Sequence, residues 1–358
     1  MKKQPSILIM AGGTGGHIFP ALAVADLLRD RGWKVTWMGA PGSMESELIP
    51  KRGYKMAWVD FSGLRGKGLM RKLKLPFALG VAMWQSMTAL LGCRPDVVLG
   101  MGGYITFPGG MMAKLMRYPL VIHEQNSIAG LSNKTLARWA TRVLSGFPDV
   151  LPCAEWCGNP VRADIAALPE PERRYAERSG PLNVMVLGGS LGAQAINKCM
   201  PRALALMSAD ERPDVLHQTG DRHHDSVQAA YQAAGVSAYV MPFLDDMAFF
   251  YGQADLMVCR AGALTVSELT AAGVASILVP YPNAVDDHQT ANARFLSEAG
   301  AAVLLPQTEM TPERLAELLR NISRERALEM AEAAHRRAKP GATERVADVC
   351  EEVAGAKG

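Results

Sequence analysis

The sequence predicts an α/β protein with parallel sheets, arranged as two similar halves. Short apolar runs alternate with helical patterns almost throughout: "ILIMA", "KVTWMGA", "DVVLGMG" and "PLVIHEQ" come first, then "NVMVLGG", "DVLHQTG", "AYVMPF", "DLMVCRAG", "SILVPY" and "AAVLLP". Runs of that length separated by amphipathic helices imply βα units. The runs are apolar on both faces, as strands covered by helices on either side must be. In each half a strand enters a glycine turn and then a helix, "LIMAGGTGGH" first and "VMVLGGSLGA" later.

The bulk properties agree. A length of 358 residues suits two α/β domains, and 49% hydrophobic with 20% charged residues describes an ordinary globular chain. A net charge of +3 is too small to suggest a nucleic-acid binder. Six cysteines are scattered without a C-x-x-C pair; Cys153 and Cys157 lack a second cluster that would complete a metal site. They read as free thiols in a reducing cytoplasm. The opening "MKKQPSILIMAGG" is like the start of a signal peptide, but its apolar run is short and ends in Gly-Gly, so it reads as a strand. Leu75 to Cys93 is uncharged, yet Pro76, Gly80, Gln85, Ser86, Thr88 and Gly92 interrupt it. A buried or interfacial helix fits better than a bilayer span.

The stretch "EWCGNPVRADIAALPEPERRYAERSGP" is rich in Pro, Gly and charge and shows no strand pattern. The boundary is placed there, near Asn159–Arg162, giving a first domain over 1–161 and a second over 162–341. The final helix, 342–358, follows "AKPGAT" and is expected to cross back onto the first domain.

Glycine permits positive φ and close approach of a ligand to the backbone, while a helix N-terminus offers free N–H groups and a positive dipole end. A glycine-rich strand-to-helix turn is therefore a ready anion site. Gly12, Gly13, Gly15 and Gly16, with the Thr14 hydroxyl, form one such turn. Gly188, Gly189, Ser190 and Gly192 form a second, and Gly100, Gly102, Gly103 and Tyr104 a third. The competing reading is a tight packing turn without a ligand. A dinucleotide fingerprint fails, because Ile18 stands where the third glycine is needed and "VTWMGA" ends without a ribose-binding acid. A P-loop fails because no G-K-[ST] follows.

In "CRAGALTVSELTAAG" a strand ends at Cys259 and a helix begins near Ala263. Glu268, two turns in, is placed to accept from both hydroxyls of a ribose; a plain surface glutamate is the alternative. Ala263, Leu264 and Thr265 offer backbone N–H groups to phosphates, and Arg260 adds charge. In "VPYPNAVDDHQTANA" Gln289 is placed to read sugar hydroxyls, while Asp286 has helix N-capping as a competing use. "VIHEQNSIAG" sets His123, Glu124, Gln125 and Asn126 directly after a strand, a polar density that suggests a site.

These pieces together resemble the MurG family of peptidoglycan glycosyltransferases. The resemblance runs along nearly the whole chain through "GGTGGHIFPALAVA", "GLRGKG", "VVLGMGGY", "HEQN", "AGLSNK", "GNPVR", "GGSLGA", "CRAGALTVSE" and "DDHQTANA". Leu191 departs from it, standing where a glutamine is common. The resemblance implies two Rossmann-like domains facing a cleft (the GT-B arrangement), with UDP-N-acetylglucosamine on the C-terminal domain. The lipid-linked muramyl-pentapeptide acceptor, lipid I, is expected on the N-terminal one, with inverting transfer that makes lipid II. By position, the implied donor residues are Ser190, Leu244 at the uracil, Ala263, Leu264, Thr265, Val266 and Ser267, with Glu268 and Gln289. Thr14, Gly15, Gly16, Asn126 and Arg162 are expected around donor and acceptor, with Tyr104, His123 and Arg260 as further candidates.

Inversion needs one base and one means of stabilising departing charge. His17 is the candidate base, since a neutral imidazole suits proton removal near neutral pH. Glu124 or His123 is the alternative, and a phosphate-donating role for His17 competes with both. Departing UDP is expected to be held by backbone N–H groups, the helix dipole and Arg162 or Arg260, without a tightly bound metal, a divalent cation at most stimulating. Other GT-B UDP-sugar transferases and UDP-sugar 2-epimerases are the rival enzymes. Membrane contact has its own signature: Arg65, Lys67, Arg71, Lys72 and Lys74 stand among Leu69, Leu73, Leu75, Phe77, Leu79 and Trp84. Basic residues beside apolar ones favour an anionic leaflet. The expectation is peripheral attachment to the cytoplasmic face of the inner membrane, alongside other cell-wall synthesis proteins and with no nucleic acid.

Overall fold

The computed structural model describes residues 4–61, 69–188 and 193–356, with backbone alone at 69–74 and 285. Two compact units result, one from Met1–Val161 with Gly341–Gly358 and one from Arg162–Pro340. The first runs β1 (Ser6–Met10), α1 (Gly15–Asp30), β2 (Lys34–Gly39), α2 (Met44–Lys51), β3 (Lys55–Trp58), α3 (Leu69–Cys93), β4 (Val97–Gly100), α4 (Thr106–Leu115), β5 (Leu120–Glu124), α5 (Leu131–Leu136), β6 (Arg142–Ser145) and β7 (Glu155–Trp156). Its sheet is parallel throughout, in the order β3-β2-β1-β4-β5-β6-β7.

The second unit runs α6 (Ala163–Ala166), α7 (Pro171–Ala176), β8 (Asn183–Leu187), α8 (Gln194–Ala205), β9 (Asp214–Gln218), α9 (His224–Ala233), β10 (Tyr239–Met241), α10 (Met247–Gln253), β11 (Leu256–Cys259), α11 (Ala263–Ala272), β12 (Ala275–Leu278), α12 (His288–Ser297), β13 (Ala302–Leu304), α13 (Pro312–Asn321) and α14 (Arg324–His335). Its parallel sheet has the order β10-β9-β8-β11-β12-β13. Both sheets are therefore Rossmann-like and doubly wound. The central strands bury every residue, so helices cover both faces and each unit has its own core.

The last helix, α15 (Ala342–Gly355), belongs to the first unit. Its buried Val346, Ala347, Val349, Cys350 and Val353 share a core with Ile18, Leu22, Ala25 and Leu28 of α1. Polar contacts frame that seam. Arg31 reaches Asp348 at 2.6 Å, the Trp33 indole donates to Glu351 at 3.1 Å, and Arg345 pairs with Glu155 at 2.5 Å.

Some elements differ from expectation. The stretch read as lacking any strand contributes β7, a two-residue edge whose Glu155 is paired with Arg142 and Arg345. An edge strand has one solvent side and can be short and charged, so it leaves no apolar run. Asp286 does not cap α12: it sits at φ 53°, followed by Asp287 at φ 52°, and Asp287 takes the cap position. Of the two readings of Leu75–Cys93, the buried one fails. Ala82, Ser86 and Leu90 face the core, whereas Phe77, Trp84 and Leu91 are 78%, 62% and 52% exposed. Those three recur at seven-residue spacing and so lie on one stripe of α3.

Order reverses between β1 and β4 in the first sheet and between β8 and β11 in the second. In open parallel sheets ligands collect just beyond the carboxyl ends of strands at that point. The turns that follow β1, β4 and β11 are the glycine-bearing loops of the sequence; the turn after β8 lies at 189–192, outside the described residues.

Core polarity also sets a pH limit. His217 on β9 is buried and neutral: Nε2 donates to Asn197 Oδ1 at 3.0 Å, and Nδ1 accepts from the Tyr231 hydroxyl at 2.8 Å. Burial pushes its pKa down to about 3, and that of His123 down to about 4. Both are depressed below the unfolded value of about 6.5. The unfolded chain then binds more protons below that pH, and stability falls on acidification. The urea midpoint is expected to be steady near pH 7 and to drop progressively from pH 6.5 towards pH 4. A midpoint that stays flat across that range would contradict the neutral buried state.

Candidate functional sites

In the first unit two loops meet. Gly103, at φ +83°, approaches so closely that a Cβ would sit 2.2 Å from the Gly12 carbonyl oxygen; any side chain is excluded by backbone and by conformation. Thr106 ties this loop down, donating to Gly102 O at 2.7 Å with Met10 O at 3.2 Å. Buried Glu45 of α2 accepts from Gly13 N at 3.2 Å and Ala40 N at 3.3 Å. Tyr104 lies against Gly13, its phenol raised above its ordinary range by burial and by Glu45. Thr14 occupies the N-cap of α1 with its hydroxyl uncommitted to capping. Among the described residues the N–H groups of Gly15 and Gly16 have no acceptor, while His17 N reaches Thr14 O at 3.1 Å. Free N–H groups at the positive end of a sixteen-residue helix can hold an anion.

His17 is half-buried beside that turn, Nδ1 2.8 Å from Gln125 Oε1. Two expected alternatives to it are otherwise engaged. His123 is wholly buried, with Nε2 on Gly158 O at 2.9 Å and Nδ1 on Gln125 Nε2 at 3.0 Å. Burial, the largest influence, keeps it neutral. Glu124 accepts from Asn126 N (2.9 Å) and Asn126 Nδ2 (3.4 Å) on one oxygen. Its other oxygen takes Gly130 N (3.1 Å) and Asn133 Nδ2 (2.9 Å). It clamps its own loop, and Asn126 is part of that clamp.

In the second unit α11 opens after Gly262, and its first intrahelical bond is Val266 N to Gly262 O at 2.9 Å. The N–H groups of Ala263, Leu264 and Thr265 thus point out of the helix end with no acceptor among the described residues. Val266 does not face them; its side chain is buried in the core, and Ser267 Oγ turns back to Ala263 O at 3.0 Å. Buried Glu268 is no plain surface glutamate. Oε1 accepts from Arg162 Nη2 at 3.0 Å and Nε at 3.3 Å, and Oε2 from the Tyr251 hydroxyl at 3.0 Å. Burial raises its pKa, opposed by Arg162 and Tyr251. Oε1 takes both Arg162 donors and Oε2 only the Tyr251 hydroxyl, so Oε2 keeps a lone pair for a further hydroxyl donor.

Gln289 accepts from Tyr281 N at 2.9 Å and keeps its NH2 to donate. Leu244 is buried. Arg260 is not a free cation: it donates to Val279 O and Pro280 O, each at 3.1 Å, and to Gln307 at 2.7 Å. Burial lowers its pKa. Ser190 lies outside the described residues. A hollow of about 780 Å³ near Leu244 is lined by Asp164, Asp245, Asp246 and Arg174. Its carboxylates repel phosphate, and Arg174 is committed to Tyr251 O at 3.2 Å. Among the described residues no group of His, Cys, Asp or Glu could hold a metal ion.

The Glycosyltransferase family 28 N-terminal domain matches residues 7–145, and the corresponding C-terminal domain matches residues 183–352. A protein of Ralstonia nicotianae is 59% identical over 96% of this chain and 95% of its own length. One of Dechloromonas aromatica is 58% identical over 98% and 99%. Both are named UDP-N-acetylglucosamine--N-acetylmuramyl-(pentapeptide) pyrophosphoryl-undecaprenol N-acetylglucosamine transferase. The crystal structure of Acinetobacter baumannii MurG is similar at a TM-score of 0.86 and 41% identity, covering 97% of this chain and 99% of that one. The chain belongs to the MurG family. It is a glycosyltransferase. A Listeria monocytogenes structure titled as a UDP-N-acetylglucosamine 2-epimerase aligns at TM-score 0.63 and 14% identity, a likeness of fold alone.

Membership in the MurG family leaves several residues to geometry. Glu45, Tyr251 and Thr106 carry no site signal in the sequence, and Gln125 stands there only as one of four polar residues after a strand. Glu45 and Tyr251 stand in helices where only the third dimension shows what they hold. Glu45→Ala strands the Gly13 and Ala40 N–H groups, each loss costing about 1–3 kcal/mol. It is expected to lower the urea stability by that order and kcat at least tenfold. Glu45→Gln is expected to recover part of both.

Proposed function

We propose that this chain transfers N-acetylglucosamine from UDP-N-acetylglucosamine to the 4-hydroxyl of the muramyl sugar of lipid I. The product is lipid II, formed with inversion, in peptidoglycan synthesis. The observation that carries the reading is 58–59% identity, along nearly the whole chain, with proteins named as transferases of that reaction. The chemistry of both sites agrees with it.

Glu268 holds the ribose through Oε2, pre-set by Arg162 and Tyr251. Leu244 borders the uracil, the N–H groups of Ala263 to Thr265 face the diphosphate, and the Gln289 amide donates to the sugar. As the anomeric bond breaks, charge grows on the β-phosphate. The α11 N-terminus is already oriented towards negative charge and needs no reorganisation. On this reading no tightly bound metal is required and a divalent cation only stimulates. Arg162 contributes nearby charge, whereas Arg260 holds the end of β12 in place. In the first unit Gly15, Gly16 and Thr14 anchor the acceptor diphosphate, with Asn126 and Tyr104 beside it. His17 removes the proton from the attacking hydroxyl. His123 and Glu124 shape the loop behind it, since each is already fully hydrogen-bonded.

Attachment is peripheral, on the cytoplasmic face of the inner membrane. The support is the exposed stripe of Phe77, Trp84 and Leu91 on α3. By length and composition Leu75–Cys93 could cross a bilayer, but its inner face packs on the sheet. The side chains of Arg65, Lys67, Leu69, Arg71, Lys72, Leu73 and Lys74 lie outside the described residues. Other wall-synthesis proteins are expected as partners.

Purified chain should move radiolabelled sugar from UDP-N-acetylglucosamine, and not from UDP-glucose, onto a short-chain lipid I analogue. His17→Ala should cut kcat about 10²–10⁴-fold with donor KM little changed, the usual scale of general-base loss. Absence of transfer would sink the activity, and an undiminished kcat would sink the base. For the membrane, Phe77→Ser with Trp84→Ser should weaken binding to anionic vesicles at least tenfold, because each apolar side chain contributes about 1.5–3 kcal/mol on burial. Leu75 is a poor probe, since it packs against the core. Unchanged vesicle binding would place the contact elsewhere.

A further inference from the structure

Four groups of the first unit form one hydrogen-bonded line: Gly158 O, His123, Gln125 and His17, with links of 2.9, 3.0 and 2.8 Å. Its polarity is forced. A carbonyl oxygen can only accept, so His123 Nε2 carries a proton. In a neutral imidazole Nδ1 then has the lone pair, so the Gln125 NH2 must donate to it. That leaves Gln125 Oε1 facing His17, and an amide oxygen also only accepts. His17 Nδ1 is therefore the protonated nitrogen, and Nε2 carries the lone pair.

Flipping the Gln125 amide would break this order twice. It would require a second proton on His123, a charge in a fully buried place. It would also replace the Gln125 Nε2 bond to His123 O (3.1 Å) with a contact between two oxygens. Burial already pushes the His123 pKa down to about 4, so the reference end of the line stays neutral across the working range. The line is held from outside as well. Asn159 Nδ2 donates to Gln125 O at 3.0 Å. Gly102 stands at φ +93°, where a Cβ would lie 2.8 Å from His17 Nδ1 and 3.2 Å from Gln125 Oε1. Only glycine leaves room for the final link.

We propose that Gln125 is a positioning residue that fixes His17 as the Nδ1–H tautomer and so dedicates Nε2 to the acceptor hydroxyl. The proposal rests on the reading of His17 as the base. The familiar device for this task is a carboxylate, which orients the ring and also stabilises the imidazolium. Here an amide orients it without adding charge. Among the described residues no other acid takes over that role. Glu124 is saturated by Asn126, Gly130 and Asn133, and Glu45 faces Gly13 and Ala40. Tyr104 is held neutral by burial and Glu45. From α15, packed on α1, Asp348 pairs with Arg31 and Glu351 with Arg31 and Trp33, all at the far end of α1.

The test begins on the unmodified protein, with nitrogen-15 chemical shifts of labelled histidine. His17 is expected as Nδ1–H with an unprotonated Nε2, and His17→Gln identifies its signals. An Nε2–H tautomer in the wild type would overturn the proposal whatever the variants do. Gln125→Leu should lower kcat about 10- to 100-fold, less than loss of the base itself, with donor KM within about twofold. Its His17 signals should shift towards the Nε2–H form. Gln125→Glu should keep much of kcat but move the acid limb of kcat/KM up by about one pH unit or more, because a carboxylate favours the charged ring. Unchanged kcat and tautomer in Gln125→Leu, or an unmoved limb in Gln125→Glu, would count against the role. If His17→Ala retains full kcat while the wild-type tautomer is as stated, the base reading fails and the geometric assignment stands.

Discussion

The backbone contact between Gly12 and Gly103 is the constraint on which the first site depends. Two loops that follow neighbouring strands can merge only if no Cβ stands between them, and Gly103 meets that condition at a φ that side chains avoid. Around the contact, Thr106 holds the Gly102 carbonyl, and the buried Trp37 indole donates to Ala11 O at 3.0 Å. These bonds convert a flexible glycine turn into a fixed one. The free N–H groups of α1 and the His17 ring inherit their directions from it.

The two units solve related problems with different electrostatics. Both place polar side chains and open helix N-termini where parallel strand order reverses. In the first, the groups behind His17 are neutral, an amide, a buried imidazole and a backbone carbonyl, so the ring is oriented with no charge placed beside it. In the second, Glu268 is a buried carboxylate sustained by Arg162, 41% exposed, and by the Tyr251 hydroxyl. An ion held at the edge of a core keeps its charge for a hydrogen-bonding ligand, while full burial alone would neutralise it.

Much of this was legible in the sequence, and the missing part has a physical reason. Buried central strands such as "SILIM" and "LMVC" announce themselves because both faces are apolar. Edge strands β3 and β7 do not, since one side meets solvent and Lys55 or Glu155 is allowed. The glycine turns and Glu268 could be found from chemistry at strand ends and helix starts. Gln125 was visible only as one of four polar residues, because its partners come from positions 17, 123 and 158, and direction along a hydrogen-bonded line is not encoded in spacing. Val266 shows why: its side chain is buried, because a run of helix-start residues shares an address but not a face.

The return of α15 to the first unit has a consequence for the order of events during synthesis. The seam that buries Ile18, Leu22 and Leu28 needs Val346, Val349 and Val353, which leave the ribosome only after all of residues 162–340. Until then the nascent first unit exposes an oily flank of α1 and must be shielded or wait. Release of the final helix closes it, so the unit made first is the one completed last.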